Sequence, residues 1–415
     1  MELSDTAAAQ GGAPQRTSTW FEAAAVIVLK GILLLVVANL ILYAIILVRR
    51  PKPQISPLDV YGLDKIMKAY PGWREEDVKA LLNETWRARQ AKFEYEPFTG
   101  FKHRPFRGRF VNVDPAGFRL SKDQAPWPPN PQAFNVFIFG GSTAFGSGVP
   151  DDQTIASYLQ DCAPPDAASG RMTVYNFGRS GYFSSQERTL FEQLLAAGFV
   201  PKVAIFIDGV NDFWLIDGQP SFTDRLKGFM DGKAEGSLLD AIPMIQAAHS
   251  LRQRMTPQPT QKAHDPGDPA LLQPVIDRWL ANKKMIESIA AGFGVRPIFV
   301  WQPVANYKYD LQYHFLLHSE KDFDERMHCP YGYALMDKLR AQGRLGSDVL
   351  WLADMQQDKH ENLYVDQWHY TAPFSKEIAG RICSFMRQLQ DERPSSRQDL
   401  EKFGSAPDKF AGITP

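Results

Sequence analysis

A chain of 415 residues, 44% hydrophobic and 22% charged, carries enough apolar material for one large domain or two ordinary ones. Its formal net charge of −1 gives no electrostatic reason to bind nucleic acid. Its three cysteines, Cys162, Cys329 and Cys383, form no Cys-x-x-Cys pair, which excludes the usual structural zinc pattern. One disulfide among them would suit an exported domain, and the spacing leaves the pairing open.

Residues 1–19 are small and polar, and residues 1–22 are expected to be disordered. Residues 23–48 are almost wholly apolar, broken by Lys30 and Asn39. As a helix, Gly31–Val48 alone would span roughly 27 Å at 1.5 Å per residue, close to a hydrocarbon core of about 30 Å. A buried core helix of that length would show an amphipathic stripe. A cleaved signal peptide fits poorly with so long a run followed by Arg49-Arg50-Pro51-Lys52. One transmembrane helix is therefore predicted. Arg16 and Lys30 precede its centre, and Arg49, Arg50 and Lys52 follow it, a margin of one charge toward a cytoplasmic C-terminal side.

Residues 49–132 read as a juxtamembrane extension, rich in aromatics and arginine from Phe93 to Leu120. Phe118 and Arg119, in Asp114-Pro115-Ala116-Gly117-Phe118-Arg119, read as a structural brace. Pro126, Pro128, Pro129 and Pro131 stiffen the approach to the first apolar strand-like run. A regular alternation then begins at Ala133. Apolar strand-like runs occur at 134–139, 173–177, 200–207, 297–301 and 349–352. Helix-period stretches lie at 154–161, 185–197, 270–291, 332–341 and 375–389. Short apolar strands separated by helices predict a five-stranded parallel sheet covered on both faces, over 133–390. In such an open sheet, sites gather beyond the C-terminal strand ends. Residues 213–269 are too long for an ordinary connection and read as an insertion. Residues 391–415 read as a loose tail.

Four short motifs fall where that sheet would place a site. Gly140-Gly141-Ser142-Thr143 follows the first strand, so Ser142 would sit exposed on a strand-to-helix turn, suited to a nucleophile. Gly178-Arg179-Ser180-Gly181 follows the second strand, and glycine there lets a backbone approach a ligand. Gly209-Val210-Asn211-Asp212 follows the third, and the Asn211 amide can donate a hydrogen bond to a developing oxyanion. Asp366-Gln367-Trp368-His369 lies in the last strand-to-helix connection. On one helical turn Asp366 would hold Nδ1 of His369 and leave Nε2 facing Ser142. Each motif alone has an ordinary reading: a helix N-cap, a β–α turn, an Asx-turn, a surface histidine. Their fixed order makes the signal. After the fourth strand, Gln302 and Tyr307 are placed to line a substrate groove. No metal-ligand spacing or P-loop appears, and the chemistry needs no cofactor.

This order of motifs resembles the SGNH branch of the GDSL esterases and lipases, over about Phe134 to Leu389. The resemblance implies a flavodoxin-like three-layer α/β/α sandwich and acyl transfer through an acyl-serine. It implies Ser142 as nucleophile, His369 as base and Asp366 as its orienter. The oxyanion would be held by the Ser142 N–H, the Gly181 N–H and the Asn211 amide, with Gly178 as the alternative second-block donor. One departure stands out: that family usually has Asp before the serine, and this chain has Gly141. The Gly-Gly-Ser-Thr form is similar to that of bacterial envelope proteins, including some linked to polysaccharide O-acetylation. An acyl ester or acylated envelope glycan is thus the expected substrate, with the domain periplasmic or extracellular, against the one-charge margin. Two rivals are a lipid-directed esterase and a non-catalytic subunit in polysaccharide export.

Overall fold

The computed structural model describes residues 16–49, 56–88, 93–162, 171–223, 265–319 and 328–391, with isolated positions in 227–251 and at 322–323. The chain divides into two units, residues 1–53 with 222–263 and residues 54–221 with 264–415. The first is built on helix α1 (Arg16–Arg49). Its stretch Thr19–Ile46 is long and apolar enough to cross a membrane, and none of it is buried. Asn39 turns its amide back onto the Leu35 carbonyl at 2.8 Å, which satisfies a polar group on an apolar helix. The helix starts at Arg16, so residues 16–22 are helical where disorder was expected: the apolar pattern already begins at Trp20. Residues 1–15, most of 222–264 and the tail beyond Asp391 lie outside the described residues.

The second unit opens with α2 (Pro57–Tyr61), α3 (Leu63–Ile66) and α4 (Glu75–Leu82), and α4 runs on into a π-helical turn, Asn83–Ala88. Two hairpins follow, β1 (Phe93–Glu96) with β2 (Gly100–His103) and β3 (Phe106–Arg107) with β4 (Asn112–Val113). This extension has its own small core, in which Ile66, Tyr70, Val78, Leu81, Leu82 and Trp86 pack on Phe145 and Val365 of the main domain.

The main sheet holds β5 (Phe134–Gly140), β6 (Met172–Asn176), β7 (Val203–Asp208), β8 (Arg296–Trp301) and β9 (Val349–Trp351), in the order β6-β5-β7-β8-β9 and all parallel. In chain order that is 2-1-3-4-5, the flavodoxin-like arrangement. All five expected strands are present. The third starts at Val203 and not Val200, since Pro201 has no N–H to give a ladder. Every residue of β5 and β7 is buried, as continuous apolar runs at the centre of a two-faced sheet should be. Phe139, Phe206 and Phe299 stack across three neighbouring strands, with ring centroids 4.9 and 5.4 Å apart.

Among the described residues, seven α-helical segments connect and cover the sheet: α5 (Ser142–Phe145), α6 (Ile155–Gln160), α7 (Ser184–Ala196), α8 (Val210–Trp214), α9 (Pro269–Phe293), α10 (His328–Ala341) and α11 (Ala372–Asp391). Helix α6 pairs with α11, and α7 with α9. The reversal of strand order at β5 requires this split, because right-handed crossovers put α6 on one face and α7, α9 and α10 on the other. A disulfide, Cys162–Cys383, joins the end of α6 to α11 across a Cα separation of 6.3 Å, and the buried Cys329 donates its S–H to the Val210 carbonyl at 3.7 Å.

Candidate active site

The switch point between β5 and its neighbours places the motifs together. Ser142 follows β5 through Gly140, whose φ of +153° and tight surroundings suit only glycine. Ser142 is the one residue of 134–150 that is not buried. It begins α5, so its own N–H has no acceptor within the helix. Arg119, fully buried, caps the far end of this short helix. Its guanidinium donates to the carbonyls of Phe145, Gly146 and Val149 at 2.9, 2.5 and 2.7 Å and pairs with Asp151 at 2.9 Å. The expected brace is thus the support of the Ser142 turn.

His369 Nε2 lies 2.8 Å from Ser142 Oγ, and its Nδ1 lies 2.7 Å from Asp366 Oδ2. The local geometry differs from expectation. Residues 364–370 form no helical turn but a loop closed by a Tyr364–Tyr370 bridge, with the Val365 N–H donating to the His369 carbonyl at 2.8 Å. Asp366 Oδ1 accepts the Trp368 and His369 N–H groups, both at 2.9 Å, so an Asx-type turn sets the three-residue spacing. Burial would raise the Asp366 carboxyl, but His369 and the two N–H groups hold it below the usual carboxylate range. His314 supports the turn from behind. Its Nδ1 accepts from the Leu316 and Leu317 N–H groups, which leaves Nε2–H to donate to the Asp366 carbonyl at 3.2 Å. Burial pulls this imidazole down to about 4, so it stays neutral.

The other two motifs meet beside Ser142. Asn211 Nδ2 donates to the Tyr182 carbonyl at 2.6 Å, which uses one of its two N–H bonds. A Cβ at position 141 would come 2.2 Å from Asn211 Nδ2. The Gly141 departure therefore has a steric cause: the amide occupies the space an acid would need. The Gly178 N–H donates to Asn176 Oδ1 at 3.0 Å, and a Cβ there would strike the α5 backbone. Gly178 is thus a packing glycine, and its N–H is engaged. Gly181 sits in the next turn at φ +76°, beneath Ser221 and Trp214.

Gln302 and Tyr307 are placed differently from expectation. Gln302 is 2% exposed, and its Oε1 accepts from the Thr143 hydroxyl at 2.6 Å and lies 2.9 Å from the Tyr370 hydroxyl. It ties the neighbour of Ser142 to the neighbour of His369. Tyr307 is 8% exposed, packs on Tyr333 and points its hydroxyl at Asp337. Internal partners hold both, so neither lines a groove. Beneath the Asn211 loop, Glu187, Asp208 and Asp212 are buried together. Burial raises all three; Asp208, also next to the Asp212 charge, reaches about 7. Chemically, the constellation can take a proton from a serine, hold the resulting imidazolium and offer N–H donors to an oxyanion.

No protein-family profile and no curated protein sequence matches the chain. Among solved structures, it is similar to a member of the lipolytic protein G-D-S-L family from Veillonella parvula DSM 2008. That match has 12% identity and a TM-score of 0.33, and covers 61% of this chain and 97% of the other. It is also similar to an acetylxylan esterase from Geobacillus stearothermophilus, at 14% identity and a TM-score of 0.31, covering 61% and 93%. Likeness of this degree transfers neither activity nor substrate.

Proposed function

We propose that the chain is a membrane-anchored serine esterase or O-acyltransferase working through an acyl-serine intermediate. The observation that carries this reading is the unbroken line from Asp366 through His369 to Ser142, with a 2.7 Å contact between Asp366 and His369 and a 2.8 Å contact between His369 and Ser142, 227 residues apart. Ser142 Oγ attacks an ester carbonyl while His369 Nε2 takes its proton. The carbonyl electron pair moves to oxygen, where the Ser142 N–H, the free Asn211 N–H and the Gly181 N–H receive it. Collapse expels the alcohol, which leaves with the proton from Nε2. Water or a sugar hydroxyl then resolves the acyl-enzyme by the reverse steps. An acylated envelope glycan is the substrate class we assign, outside the cytoplasm. The Cys162–Cys383 disulfide supports that placement, since such bonds persist in oxidising compartments.

The test is mass spectrometry of the full chain after exposure to a panel of acyl esters and a fluorophosphonate. An adduct on Ser142, absent from Ser142→Ala, is the expected result. An adduct elsewhere, or none, would sink the reading. Alkaline phosphatase fused after Gln390 should be active; a silent fusion would reverse the topology and remove the envelope glycan.

A further inference from the structure

Trp86 packs against the His369 ring in a T-shaped contact. The ring centroids lie 5.5 Å apart, with planes at 78°. Trp86 is 7% exposed and His369 8%, so the contact is made out of water. The π-helical turn that carries the indole, and its surroundings, are fixed by hydrogen bonds. Glu84, in the same π-helical turn, accepts the N–H groups of Arg109, Phe110 and Val111 at 2.9, 2.8 and 2.9 Å. The Thr85 hydroxyl donates to the Leu81 carbonyl, and the Tyr70 hydroxyl to the Gly148 carbonyl. Gly148, at φ +93°, makes room: a Cβ there would come 2.5 Å from Val365 Cγ2 and 3.3 Å from Trp86 Cη2. One-turn π segments recur at functional sites, because they re-aim a side chain at some cost in helix regularity.

We propose that Trp86 is a positioning residue for this reaction: its indole fixes the His369 ring and stabilises the imidazolium formed when Nε2 takes the Ser142 proton. This rests on the acyl-serine reading. An aromatic ring within about 6 Å attracts a cation, and more so when both are desolvated. Positive charge sits on the ring only while a tetrahedral intermediate exists, in acylation and again in deacylation. Stabilisation confined to that interval speeds the reaction and does not merely tighten binding. The other groups facing the ring are Asp366 at Nδ1 and Ser142 at Nε2. Around Asp366 stand His314, the Tyr70 hydroxyl and the Tyr61 hydroxyl, the last also near Asp322. The extension from Ser56 to Ala88 thereby becomes part of the reaction centre.

The test uses the full chain in detergent micelles. Trp86 is replaced by Leu, by Phe, and by tryptophans of increasing ring fluorination, which weaken the π face without changing shape. Two readouts are taken: the pH dependence of kcat/KM on p-nitrophenyl acetate, and NMR titration of labelled His369 in the Ser142→Ala background. Trp86→Leu should lower kcat about tenfold with KM little changed, and move the acid limb down by roughly 0.5–1.5 pH units. Trp86→Phe should restore most of the loss, and the fluorinated series should step down in order. A flat or rising series overturns the proposal, and it does so even if Trp86→Leu fails to fold. If wild type is inert on the ester and takes no fluorophosphonate adduct on Ser142, the acyl-serine reading fails and this proposal falls with it; a wild type that reacts while the fluorinated series stays flat loses the proposal alone.

Discussion

Two buried carboxyl groups of this domain, one in the 364–370 loop and one at the end of β7, are driven in opposite directions. Asp366 is 7% exposed, yet its carboxyl lies below the usual range. Asp208 is 3% exposed and rises to about 7. Burial penalises charge at both. The difference is in the partners: Asp366 has the His369 ring and two backbone N–H groups, whereas Asp208 has the Trp279 N–H at 2.9 Å and acids for neighbours. A buried acid is ionised where donors converge on it and protonated where acids gather.

The strongest way to break this contrast is Asp366→Asn. The amide keeps the shape but cannot hold the Nδ1–H tautomer, so kcat on an activated ester should fall about 10⁴-fold with the fold intact. A loss under tenfold would mean the carboxylate charge is not used. Asn211→Ala removes the amide that lies against Gly141. It should cost about 10²–10³ in kcat, the scale of one oxyanion donor, and steady-state kinetics against an unchanged melting curve would check it. Gly141→Asp puts a further acid directly before Ser142. Because its Cβ would meet Asn211 Nδ2 at 2.2 Å, it should displace that amide and lower kcat by about 10²-fold. A gain in rate would contradict this packing.

The smallest effect is on stability and concerns pH. A carboxyl raised to about 7 in the fold binds its proton more tightly there than in the unfolded chain. Its stabilisation is full below the ordinary carboxyl range and is lost as pH rises toward 7. Denaturant titrations from about pH 4 to 7 should show falling stability, and Asp208→Asn should flatten that slope by an amount on the order of 1–4 kcal/mol. Asp366, held low, has the opposite sign: its contribution is present at neutral pH and is lost as pH falls. An unchanged slope in Asp208→Asn would show that Asp208 is not the titrating group.

Much of this was readable in the chain itself. The alternation of apolar runs and helical stretches specifies a parallel sheet, because a strand buried on both faces must be mostly apolar, as 134–140 and 203–208 are apart from Asn135 and Asp208. The apolar stretch ending at Val48 specifies a helix able to span a bilayer, because length and hydropathy are local properties. The order of Ser142, Asn211, Asp366 and His369 was legible because each follows a strand or lies in the last connection.

What the tertiary structure alone decided depends on groups distant in sequence. Gln302 has a groove residue's position in the sequence, but Thr143 and Tyr370 claim its oxygen. Gly178 and Gly181 look alike until Asn176 occupies the N–H of one. Trp86 lies 283 residues before His369 and carries no motif, so only the packing of the extension brings the two rings together. Charge states at Asp366 and Asp208 follow the same rule. A side chain's chemistry is set by what surrounds it, and surroundings in a parallel sheet come from connections too long for any local pattern to record.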